Sequence, residues 1–153
     1  MRKTTFFVGV VILLLWPLCL FGFSDDISLF DSKGKPVAYI AEDLTIYLWS
    51  GKPVCYLQKD TAGGFHIYGF NGKHLGWLVE GIARDNRGHP VGGVKQVFST
   101  PTEYEPFKPF KQFKPFKAFT QFPPFRPFFD NKWAEIPLKF FLLRGIADQD
   151  EKE

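Results

Sequence analysis

Side chains able to do metal or acid–base chemistry are few in this chain of 153 residues, and they are poorly grouped. Three histidines (His66, His74, His89) and two cysteines (Cys19, Cys55) supply all the nitrogen and sulfur ligands. A zinc site usually draws its ligands from close pairs, and no two of these residues have that spacing. His74 and His89 fall at turns and His66 opens a strand, so all three read as solvent-facing. Nothing beside Cys55 would activate a thiol, and a compact apolar filler is the plainer reading. Asp31 and Asp85 could be taken as paired carboxylates. Each, however, opens an Asp-x-x-Gly turn, where the side chain accepts backbone N–H groups. No Gly-x-Ser-x-Gly elbow or phosphate-cradling glycine motif occurs. The expectation is no catalytic residue, no cofactor and no metal.

A second set of residues has the spacing of a contact surface. Between Glu105 and Phe129 the chain reads EPFKPFKQFKPFKAFTQFPPFRPFF, with phenylalanine at every third position from Phe107 to Phe128. Steps of three drift around an α-helix and alternate faces on a strand. The prolines also exclude a regular helix or a central strand. Polyproline II has three residues per turn, so the phenylalanines would share one edge, about 65 Å long at roughly 3.1 Å per residue. Lys108, Lys111, Lys114 and Lys117 form a basic edge beside it, continued by Arg126. Burying the apolar edge would be worth on the order of 10–20 kcal/mol before ordering costs. The chain's own domain, where the arm would complete a small core, is the first expected destination. The membrane, with Phe in the interface and Lys on anionic headgroups, is the second. Self-association or a protein groove is the third. The residues read as contacting lipid or a partner are Phe107, Lys108, Phe110, Lys111, Phe113, Lys114, Phe116 and Lys117. Nucleic acid is not an expected partner.

What would hold such an arm is a repeat domain. Four copies align on Gly34, Gly51, Gly72 and Gly88, separated by 17, 21 and 16 residues: GKPVAYI, GKPVCYL, GKHLGWL and GHPVGGV. Each reads as a β-hairpin with its glycine in the turn. Ser50-Gly51 and Asn71-Gly72 suggest two-residue turns, type I′ for Asn-Gly. Asp31–Gly34 and Asp85–Gly88 suggest type I turns closed by a left-handed glycine. Pro36, Pro53 and Pro90 then begin the returning strands, where a missing N–H is tolerated. A small-residue column (Ala38, Cys55, Gly76, Gly92) adjoins a ring column (Tyr39, Tyr56, Trp77, with Gly93 the exception). Alternation along a strand puts these columns on opposite faces, so the small residues are expected at a crowded axis and the rings in a wall.

The strings YIAEDLTIYLWSGKPVCYL, IYGFNGKHLGWL and RDNRGHPVGG resemble the four-fold beta flower family, over about residues 28–97. The resemblance implies an all-β fold: four tandem hairpins in a shallow pseudo-four-fold flower, followed by the polyproline-II-like arm. It implies no activity and brings no catalytic residue. The fourth unit is weakened, with Ala83-Arg84 where the others have an aliphatic–aromatic pair.

The expected organisation is a signal peptide or membrane anchor over 1–24, the four-hairpin domain over 27–98 and the arm over 105–129. An apolar segment over 130–146 and an acidic end over 147–153 complete it. Two cations (Arg2, Lys3) precede an apolar run from Phe6 to Phe23, as in an export leader. A single cysteine outside the leader leaves no internal disulfide, which suits a bacterial envelope. Residues 25–100 carry eight acids and eight bases, whereas 101–145 carry four acids and eight bases. The expected function is therefore an exported, non-enzymatic binding or structural module. It would sit in the periplasm, outside the cell, or on the membrane by its leader, touching anionic lipid or an envelope component through the arm. A self-packing scaffold or homo-oligomer is the alternative. A small hydrolytic enzyme is a third reading and would need a polar cluster the sequence lacks.

Overall fold

The computed structural model of the protein describes residues 25–147; the expected leader and the acidic residues from Asp148 lie outside the described residues. Eight antiparallel strands follow one another: β1 Ile27–Phe30, β2 Pro36–Ile40, β3 Thr45–Leu48, β4 Pro53–Lys59, β5 Phe65–Gly69, β6 His74–Val79, β7 Ile82–Asp85 and β8 Pro90–Gly93. Each pairs with the next. The pairing of Phe30 with Gly93 joins β8 to β1 and closes a barrel. The four expected hairpins are β1–β2, β3–β4, β5–β6 and β7–β8. Pro36, Pro53 and Pro90 open their returning strands, where the ladder does not need their missing donor.

The hairpin turns are of one kind, which corrects the reading of two of them. In all four the glycine N–H bonds back three residues, to Asp31, Leu48, Gly69 and Asp85, at 2.8–3.0 Å. In all four the glycine alone takes positive φ, between +80° and +88°. A register shift follows in every hairpin. This is a type I turn closed by a left-handed glycine bulge. Asn71 is not left-handed, so the type I′ turn expected at Asn71-Gly72 does not form. Its side chain is used elsewhere, donating to the carbonyls of Arg144 (2.8 Å) and Ala147 (3.0 Å). Asp31 and Asp85 behave as expected of turn residues, each accepting two backbone N–H bonds at 2.9 Å.

The barrel's inner face carries Leu29, Ala38, Ile40, Ile46, Cys55, Leu57, Ile67 and Ala83. A short helix, α1 (Leu138–Leu143), completes this core with Leu138, Phe141 and Leu142 fully buried. At about 1.5–3 kcal/mol per large apolar side chain, their burial contributes roughly 5–9 kcal/mol before ordering costs. The small column has its reason here. Cys55 donates its thiol to the Leu142 carbonyl at 3.3 Å, and a Cβ on Gly92 would lie 2.6 Å from Leu138. The helix occupies the crowded axis. Cys55 is wholly buried and its thiol pKa is pushed up by desolvation, which leaves it inert packing.

The ring column points the other way, into two aromatic clusters on the outer wall. Tyr39, Tyr47 and Trp49 form one, and Tyr56, Tyr68 and Phe70 the other. Tyr39 and Trp77 are nevertheless inaccessible. Lys108 of the arm lies over Tyr39, whereas Trp77 packs against His66 and His74, with Phe129 of the arm 6.4 Å away.

Candidate functional site: the phenylalanine belt and its seat

Residues 101–130 contain no helix or strand, yet they are held at fixed intervals. The backbone N–H of Glu103 donates to the Gly34 carbonyl (2.8 Å), Gln112 to Gly51 (2.9 Å), Gln121 to Gly72 (2.9 Å) and Asp130 to Gly88 (3.4 Å). The donors are nine residues apart, three triplets per hairpin. Arm carbonyls follow the same beat. Those of Pro101, Phe110, Phe119 and Phe128 lie 2.0–2.6 Å from where a Cβ would stand on the four turn glycines. Glycine is therefore required in each turn twice, for its positive φ and for the approach of the arm. The hairpins differ in length, but equal steps of the arm show that their turns are evenly spaced around the barrel.

A proline column in the arm encodes this seat. Positions 103, 106, 109 and so on to 130 hold proline except at Glu103, Gln112, Ala118, Gln121 and Asp130. Those five are the residues that donate an N–H; the fifth, Ala118, bonds Phe70 at 2.8 Å. Proline fills the column wherever no donor is needed.

The basic edge faces the barrel. Lys108 Nζ lies 4.7 Å from the Tyr39 ring centre and 5.1 Å from that of Trp49, while Lys117 Nζ lies 4.0 Å over Tyr56. Cations over ring faces are attracted by the π quadrupole. Beyond the rings the cations reach acids near the opposite end of the barrel. Lys111 meets Asp26 at 3.0 Å, Lys114 meets Asp43 at 2.5 Å, and Arg126 meets Asp60 at 2.6 Å. Burial pushes Asp43 upward, but the bonds from Lys114 and Thr45 outweigh it and hold the carboxyl below its ordinary value. Asp60 is likewise raised by burial but brought below its usual range by the Ala62 amide, His66 and Arg126. Burial, then Asp26 and Tyr47, push the Tyr39 hydroxyl up to about 12, so this ring stays neutral beneath the lysines.

The apolar edge faces outward, which overturns the expectation that it would bury on its own domain. Phe107, Phe110, Phe113, Phe116, Phe119, Phe122, Phe125 and Phe128 are each 92–102 % exposed. Of the residues read as contacting a partner, the structure leaves the four phenylalanines in solvent. Lys108, Lys111, Lys114 and Lys117 it directs onto the barrel. The physical reason is that the interior is already filled by α1, while the outer wall offers tyrosine and tryptophan faces, which suit cations with apolar stems.

This geometry goes with a family. The model of the 4-fold beta flower protein family matches residues 27–142. The chain belongs to that family. The match takes in the barrel, the arm and the helix of this beta flower together. Comparison with curated proteins and with solved structures gives no match.

Two histidines expected to face solvent do not. In the flower's third hairpin, His66 Nδ1 and His74 Nε2 are 3.0 Å apart, and His74 is only 5 % exposed. Asn86 donates its amide to the His74 carbonyl (3.0 Å), so its Oδ1 accepts from His74 Nδ1 (2.9 Å). His74 Nε2 therefore accepts from His66. Burial, opposed by the Asn86 bond, lowers His74 to about 4. The eight-residue separation across a hairpin was the available signal. Among the described residues no group of three or more His, Cys, Asp or Glu could hold a metal. The fourth, weakened petal is patched by the arm: Phe129 breaks the triplet phase to lie 4.7 Å over the Arg84 guanidinium, which also donates to the carbonyls of Gly88 (3.0 Å) and Asp130.

Proposed function

We propose that this beta flower is an exported, non-enzymatic binding module that enters a lipid interface through its phenylalanine belt. One observation carries the reading: eight phenylalanines stand side by side at full exposure while the opposite edge of the same ribbon is bonded down. Monomeric proteins rarely leave an apolar patch of that extent in water, and those that do use it for contact. A polyproline-II-like ribbon suits the three-residue period of exposure and the nine-residue period of the seat. The alternative, an arm that only completes the fold, accounts for the basic edge but gives the phenylalanines no task.

The test is vesicle co-sedimentation of the chain in the form the producing cell exports. Replacing Phe110, Phe113 and Phe116 with Ser removes no contact within the protein, so thermal stability should hold while vesicle binding falls at least about tenfold. Undiminished binding by this variant would sink the reading.

A further inference from the structure

The belt accounts for apolar contact but leaves a group of cations without a task. In a barrel built from four consecutive hairpins, the hairpin turns gather at one end and the connections between hairpins at the other. Every turn carries a cation next to its glycine: Lys33 and Lys35 beside Gly34, Lys52 after Gly51, Lys73 after Gly72 and Arg87 before Gly88. Helix α1 ends at this same end, since Asn71 in the third turn bonds the carbonyls of Arg144 and Ala147. The segment brings more positive charge with it. Lys139 shares a cleft with Lys35 and Asp31, and Arg144 shares one of about 380 Å³ with Arg87, Lys132, Asp85 and Glu135. None of these cations forms an ion pair among the described residues.

The acids of this end keep their charge but are outnumbered by those eight cations among the described residues. Asp31 and Asp85 accept turn N–H bonds, and Asp130 pairs with His89 at 2.8 Å; Glu103 and Glu135 are exposed. At the far end Asp26, Asp43 and Asp60 neutralise the arm's cations. The barrel is thus positive at its turn end. The belt runs round that end, because the arm is bonded to the turn glycines, and Phe140 of α1 projects there, 60 % exposed.

We infer that the turn end, and not the basic edge of the arm, recognises an anionic bilayer: the cations of the turns meet headgroups while the encircling phenylalanines enter the interface. The inference rests on the lipid reading of the belt. Cations held near an anionic surface attract it within a Debye length, and an apolar ring around a basic patch sets the orientation.

Co-sedimentation with phosphatidylcholine vesicles, with and without phosphatidylglycerol, separates the two readings. Wild type should prefer the anionic vesicles by more than about tenfold at low salt. A variant with Lys33, Lys52, Lys73 and Arg87 changed to Gln should lose most of that preference, with unchanged thermal stability, since Lys35, Lys132, Lys139 and Arg144 remain. A Lys114→Gln, Lys117→Gln variant should keep the preference. If the turn variant retains the preference, or wild type binds both compositions equally, this inference falls and the belt reading stands. Binding to neither composition would overturn both.

Discussion

Gln112 donates its backbone N–H to the carbonyl of Gly51 at 2.9 Å, and it stands in a column where proline is the common residue. Proline here would fit the ribbon but remove the donor, leaving the Gly51 carbonyl unpaired beneath the arm. Gln112→Pro should therefore destabilise the protein by about 1–2 kcal/mol. Pro115→Gln, three residues on, should change stability little. Equal urea midpoints for wild type and Gln112→Pro would show that the bond does not hold the belt.

The turn glycines offer a comparison between backbone strain and steric contact. Gly51 (φ +87°) has the Phe110 carbonyl 2.2 Å from its would-be Cβ, whereas Gly63 (φ +99°) has nothing within 4 Å. Alanine at Gly63 meets only the left-handed penalty of about 1–2 kcal/mol. Alanine at Gly51 meets that and must also displace the arm, for a total of about 3 kcal/mol or more. Thermal melts of the two variants, with protease sensitivity of the arm as a second readout, decide it. Equal losses would mean the arm adapts without cost.

Arg126 is the strongest side-chain anchor of the belt. It donates to Asp60 (2.6 Å) and to the Gly63 carbonyl (2.6 Å), and Asp60 is largely buried. Arg126→Gln removes a charged partner from that carboxylate, which keeps the Ala62 amide and His66, and should cost about 2 kcal/mol. Arg126→Lys should recover only part of it, because the second donor is lost. Lys114→Gln breaks the half-exposed pair with Asp43 and should cause no measurable change. A double-mutant cycle with Asp60→Asn reads the coupling, and a coupling near zero would demote the contact.

Much of this architecture was legible because the hairpin repeat is written in residues with local jobs. Glycine at each turn, aspartate at two of them and proline at the start of returning strands act through their own backbone, so a single sequence displays them. The facing of the arm was not legible from apolar burial alone. Counting phenylalanines favours packing them inward, but the space inside belongs to α1, which begins ten residues after Phe128. Two signals pointed the right way. One is the set of five gaps in the proline column. The other is the run of acids Asp26, Asp43 and Asp60, spaced by 17 residues and matched to the arm's cations. The turn at Asn71 departs from the type I′ expectation because its side chain answers to carbonyls more than seventy residues away.

The His66–His74 pair makes a prediction about acid. His74 is buried and held at about 4 in the folded protein, against an ordinary value of 6.5. The folded state therefore refuses a proton that the unfolded chain accepts. The stability associated with neutral His74 is fully present above about pH 6.5 and is lost progressively as pH falls toward 4. Asp43, Asp60 and Asp130 are held below their ordinary value, so their contribution starts to fade only from about pH 5 and leaves most of this window to histidine. Wild type should lose about 2 kcal/mol between pH 7 and 4.5, discounted from the full shift for local relaxation. His74→Gln keeps a hydrogen-bonding side chain but cannot titrate, so its stability should change much less over that range, whatever its value at pH 7. Urea unfolding at several pH values compares the slopes. Parallel profiles would mean that His74 takes up its proton in place, without loosening the wall on which the arm rests.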